Sequence, residues 1–122
     1  MNDRLSQEEI NAYPAITLPG SENWRDAYNW SIELEKQFPD VDAYDFAQAV
    51  QLAGYEPGED RKIEKIIMLQ QGCNDGPHWV WAVYFERKED AWYGPDNDLW
   101  ILNGWCDYTG WDCRAGADWT QF

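Results

Sequence analysis

The chain has 122 residues, a net charge of −14 and a sequence pI near 4.1. The length predicts a single domain over 1–122. The charge argues against direct binding to nucleic acid or to an anionic membrane surface, whose phosphates would repel the chain. With 44% hydrophobic and 16% aromatic residues, nine Trp among them, the composition is not that of a disordered segment.

At the N-terminus, residues 1–9 lack a basic start followed by an apolar stretch, so no signal peptide is expected. The longest apolar run, residues 79–85, has the length of a strand and is far too short to span a bilayer. Three cysteines without a secretory signal point to reduced thiols and a cytoplasmic location.

Ser6-Gln7-Glu8-Glu9 has the capping-box spacing and predicts a short helix that Pro14 stops. Pro19-Gly20 is a turn. Ser21 is a good N-cap for a second helix running to about Phe38, with Trp24, Ala27, Ser31, Leu34 and Phe38 on its inner side. Glu22, Asp26, Asn29, Glu33 and Gln37 fall on the opposite side. Pro39 breaks this helix, and Asp40 or Asp42 caps a third, whose Tyr44, Ala47, Val50 and Phe46 are candidates for the inner face. Gly54 sits where a C-terminal glycine cap belongs.

Past the Pro57-Gly58 turn the texture becomes β-rich. Residues 63–70 and 79–85 read as strands around the Asn74-Asp75-Gly76 loop. Further strands are expected over 99–102 and 105–108, around Gly104, followed by an irregular tail. Trp79, Trp81, Val83 and Phe85 alternate with Val80, Ala82 and Tyr84, so both faces of that strand are apolar. Either it is internal, or one sheet face is left for a partner. The expected class is α+β: about three N-terminal helices packed on a C-terminal antiparallel sheet of three to four strands.

The densest motif is Cys106-Asp107-Tyr108-Thr109-Gly110-Trp111-Asp112-Cys113. It resembles a signature of small uncharacterised phage and bacterial proteins, with a looser likeness in the Asn-Asp-Gly loop and the Trp-rich strand. The resemblance implies a phage or prophage origin, hence the host cytoplasm, and brings no activity or site residues with it. Read from the residues, Trp105, Tyr108 and Trp111 either pack against the helices, with Asp107 and Asp112 capping turns, or form a recognition edge, since Trp and Tyr are enriched among interface anchors.

Cys73, His78, Cys106 and Cys113 form a candidate Cys₃His zinc set. Four residues separate the first pair and six the second, where two to four are usual, which weighs against it. Cys73 with His78, or Asp107 with Asp112, would be the catalytic pairs of an enzyme. Nothing marks an oxyanion hole or a substrate cleft, so the chain is expected to be a binding protein without cofactor. Asp96-Asn97-Asp98 lacks the spacing of a calcium loop.

Residues 3–60 hold thirteen acids against three basic residues, a local balance of −10. Glu22, Asp26 and Glu33, continued by Asp40, Asp42 and Asp45, make an acidic stripe whose charge density compares with a nucleic-acid backbone. The expected function is therefore a small acidic inhibitor that mimics nucleic acid and blocks a basic surface on a bacterial defence protein of the CRISPR or restriction kind. The alternatives are an aromatic-lined partner or ligand module built on the Trp-rich sheet and, behind it, a zinc-stabilised domain.

Overall fold

The computed structural model describes residues 8, 12, 16–17, 24–58, 61–71, 78–86, 98–109 and 112–121, with backbone alone for 24–27, 106–109 and 112–115. The elements in order are β1 (Ile16–Thr17), α1 (Trp24–Gln37), α2 (Ala43–Ala53), a 3₁₀ turn (Glu56–Gly58), β2 (Lys62–Gln71), β3 (His78–Phe85), β4 (Asp98–Thr109) and β5 (Asp112–Gln121). The strands form one antiparallel sheet in the order β1-β2-β3-β4-β5.

This corrects the expected architecture. Among the described residues α1 and α2 lie between β1 and β2 rather than ahead of the whole sheet, and the sheet has five strands rather than three or four. β1 is only two residues long, pairing Ile16 with Ile63 and Thr17 with Lys62, and two residues carry no periodic signal. β5 was expected to be an irregular tail. Its sequence, Asp-Cys-Arg-Ala-Gly-Ala-Asp-Trp-Thr-Gln, is poor in β-formers, and its extended form comes from unbroken pairing with β4, from Trp100↔Gln121 to Thr109↔Asp112. β4 likewise runs straight through Gly104 instead of splitting there. Of the helix expected from Ser6, Glu8 is described and is helical and Ala12 is in a turn, while the rest lies outside the described residues, as does the Trp92-Tyr93 stub.

Two expectations about helix faces divide. On α1, Ser31, Leu34 and Phe38 are buried as the wheel requires, and Trp30 joins them. On α2, Ala43, Phe46, Ala47, Ala49 and Val50 are buried, whereas Tyr44 is turned outward. Two residues on a helix are about 200° apart. Phe46 takes the inner position against Trp81, with ring centroids 5.3 Å apart at 87°, so Tyr44 cannot. Gly54 ends α2 as expected, at φ 96°, its N–H donating to the Val50 carbonyl at 2.8 Å.

The strand alternation is observed. Trp81, Val83 and Phe85 face the helices and join one core with Leu34, Phe46, Val50, Ile63 and Leu102. Ala82 and Tyr84 face the other way, buried with Leu99 beside Ile67, Leu69 and Ile101. β3 is therefore internal on both faces over 81–85. Gly104 allows α2 to approach: a Cβ there would stand 3.2 Å from both the Ala49 Cβ and the Trp81 ring. No helix among the described residues is long and apolar enough to cross a membrane.

Trp81 is fully buried and donates its indole N–H to the Val41 carbonyl at 2.6 Å. Trp81→Ala should cost about 3–5 kcal/mol in denaturant unfolding, since it opens a cavity and strands a buried acceptor. An unchanged unfolding midpoint would contradict this packing.

Candidate functional site

The acids expected to form one stripe separate into inner and outer groups. Asp42 begins α2 in the left-handed region, at φ 56° and ψ 64°, where Asp is tolerated better than most residues. Its carbonyl accepts the Phe46 N–H at 2.9 Å, but its side chain does not cap the helix. Instead Oδ2 reaches the sheet and accepts the Trp79 indole N–H at 3.1 Å and a Gln71 amide N–H at 3.2 Å. Asp45, half-buried one turn on, lies beside it. Burial, a hydrogen bond to Asp42 and the Asp42 charge push the Asp45 carboxyl from 3.8 up to about 6.

Glu33 is exposed on α1 and pairs with Lys36 at 3.2 Å, and Asp40 is exposed in the turn between the helices. For Asp26 the backbone alone is described, in α1, and Glu22 lies outside the described residues. Of the sequence-predicted acids, the structure brings together Asp42 and Asp45, and Asp42 is tied to the sheet through Trp79 and Gln71.

The described residues of the signature motif lie in the paired ends of β4 and β5. Asp107 pairs with Arg114, Tyr108 with Cys113, and Thr109 with Asp112; Trp111 lies outside the described residues. Trp105 is 42% exposed, and its indole lies across Gly116, where a Cβ would come within 2.5 Å of the ring. Cys106 pairs with Ala115, His78 pairs with Trp105, and Cys73 lies outside the described residues. Among the described residues no group of three or more His, Cys, Asp or Glu is arranged to hold a metal ion.

Two features were not legible in the sequence. The first is an apolar patch on the outer side of the helices, where Tyr28, Ile32 and Tyr44 are exposed and the two tyrosines meet edge-on at 6.1 Å. The helical spacing of 28 and 32 was available; that Tyr44 turns outward was not. The second is a cleft of about 460 Å³ where the end of α2 and the 3₁₀ turn meet β4 and β5. Beneath it lies a buried ion pair, Arg61 Nη1 to Asp98 Oδ2 at 2.7 Å, with the two side chains 3% and 2% exposed. Arg61 also donates to the Pro57 carbonyl and lies 4.9 Å from the Phe85 ring centroid. Asp98 further accepts from the Trp100 indole at 2.5 Å and from Gln121 at 3.3 Å. In the sequence Asp98 stands out only as part of the Asp96-Asn97-Asp98 run.

No protein-family model, curated protein or solved structure matches the chain.

The buried pair makes a sharp contrast testable. Asp98→Asn leaves a buried guanidinium without its counter-charge and should cost about 3–5 kcal/mol, whereas replacing both partners by Met and Leu should cost far less. Equal losses by denaturant unfolding would contradict this.

The acid pair gives a pH dependence whose sign follows from linkage. A carboxyl whose pKa is raised in the folded state disfavours folding when ionised, so its penalty is full above about pH 6 and relieved as pH falls toward 4. Asp45→Asn keeps a donor for Asp42 at every pH. It should stabilise the chain by roughly 1 kcal/mol near pH 8, a value reduced by solvent screening at this half-exposed position, and be nearly neutral near pH 4.5. Thermal melts of both proteins across this range check it.

Proposed function

We propose that the chain is a small acidic binding protein, phage-encoded, that inhibits a bacterial protein by occupying its basic, nucleic-acid-binding surface. One observation carries this reading: the outer side of the helices joins large apolar side chains to unburied carboxylates. Tyr28 is 52%, Ile32 43% and Tyr44 38% exposed. Glu35, exposed and one turn beyond Ile32, continues the same stripe of α1, and Glu33 and Asp40 add charge beside it. Tyrosines of this kind anchor interfaces, while surrounding charges steer encounter and select the partner. The net charge of −14 gives that steering its sign. The Cys106–Cys113 signature supports the phage origin.

A second reading, an aromatic partner-binding module, is favoured by the exposed Trp105 lying across Gly116. The two are separated by affinity capture of a partner from bacterial lysate, followed by kinetics on the recovered partner. On the first reading, Glu33→Gln with Glu35→Gln slows association and flattens its salt dependence, Tyr44→Ala speeds dissociation, and double-stranded DNA competes. On the second, Trp105→Ala alone releases the partner. A partner indifferent to salt, to DNA and to the helix substitutions would defeat the first reading.

A further inference from the structure

We propose that the cleft between the end of α2 and strands β4 and β5 is a binding site for an alkylated ammonium group. The proposal is independent of the helix docking face: Tyr44 stands in the first turn of α2, and the cleft begins at Ala53, its last residue. Its volume of about 460 Å³ lies in the range of small-molecule sites. Among the described residues its walls include Trp100, Trp119, Pro57, Arg61 and Glu56.

Three observations select the ligand class. The Trp100 and Trp119 rings stand at 89° with centroids 6.5 Å apart, two perpendicular π walls of the kind that receive an organic cation. Both indole N–H groups are already spent, Trp100 on Asp98 at 2.5 Å and Trp119 on the Gly54 carbonyl at 2.9 Å. The indoles therefore offer a ligand π-surface and no donor, which disfavours an anion. The cation in the wall, Arg61, is buried and neutralised by Asp98. Glu56 and Asp118 are exposed at the same cleft, so with Arg61 and Asp98 the local balance is two negative charges. A quaternary or methylated ammonium matches all three, because its charge is spread over methyl groups that sit against aromatic faces without needing hydrogen bonds.

The group is carried either by a free small molecule or by a methylated lysine side chain. The test titrates the isotope-labelled full chain, read at the indole N–H signals, with choline and with a short peptide containing trimethyl-lysine. Each is paired with its neutral isostere, in which carbon replaces the ammonium nitrogen. Expected is a saturable shift of the Trp100 and Trp119 signals, with at least one of the two cations binding about tenfold more tightly than its isostere; the tighter of the two cations identifies the source. Trp100→Leu should abolish this preference, with its fold checked by thermal melting. Glu56→Gln, an exposed change that leaves the fold intact, should weaken the cation and not the isostere. Neither cation favoured over its isostere, shifts produced by phosphate instead, or a preference that survives both substitutions would overturn the proposal.

Discussion

Helix α2 is held to the sheet at both ends by indole N–H groups, and the rest of the molecule is arranged around that attachment. At its start, Trp81 donates to the Val41 carbonyl and Trp79 to the Asp42 carboxylate. At its end, Trp119 donates to the Gly54 carbonyl. A carbonyl left outside the helical ladder has no partner there, and burying it unpaired is costly. Here the sheet supplies donors at the two places where chain direction changes, while the rings fill the space between the layers. Gly104 sets how close the layers come, since any side chain there would push against Ala49 and Trp81. The abundance of Trp is thus partly a structural requirement: a short α2 of eleven residues is marginal alone and needs anchors with both area and a polar tip.

The Arg61–Asp98 pair performs the same task at the open end of the sheet. Removing two charges from water is expensive, and such a pair is weak evidence for stability in itself. What it secures is register. Arg61 immediately precedes β2, Asp98 begins β4, and Gln121 ends β5, so one carboxylate ties three strand ends at a common level. β5 has little intrinsic preference for an extended form, and a fixed end limits its slipping along β4.

The legible part of the structure is the part where local pattern and burial agree. The alternation over 79–85, the Gly54 cap, the Pro39 break and the buried stripe of α1 all follow from the residue's own neighbours. What escaped depends on distant partners. β5 is extended because β4 is beside it, β1 because Ile63 is, and Tyr44 faces out because Phe46 meets Trp81. The acidic stripe fails as a continuous surface for a related reason: helical spacing takes no account of the sheet, and Asp42 turns toward Trp79 and Gln71 rather than toward solvent. Asp98 was hidden in the sequence by its neighbours Asp96 and Asn97, which give it the look of turn chemistry.

This division of the acids sharpens what the charge can do. Asp98 is neutralised by Arg61 inside the fold, and the Asp42 carboxylate is already committed to Trp79 and Gln71. The carboxylates left outside, among them Glu33, Glu35, Asp40 and Glu56, flank either the exposed tyrosines or the Trp100–Trp119 cleft. Both places pair a negative charge with aromatic surface. A lone acidic patch attracts any cation and binds none well, because water competes for each carboxylate. Aromatic faces beside the carboxylates add a contribution that water cannot replace and that depends on the shape of the partner. The selectivity of this chain then rests on aromatic geometry set by its hydrogen-bonded core, with the excess charge acting on the rate of encounter.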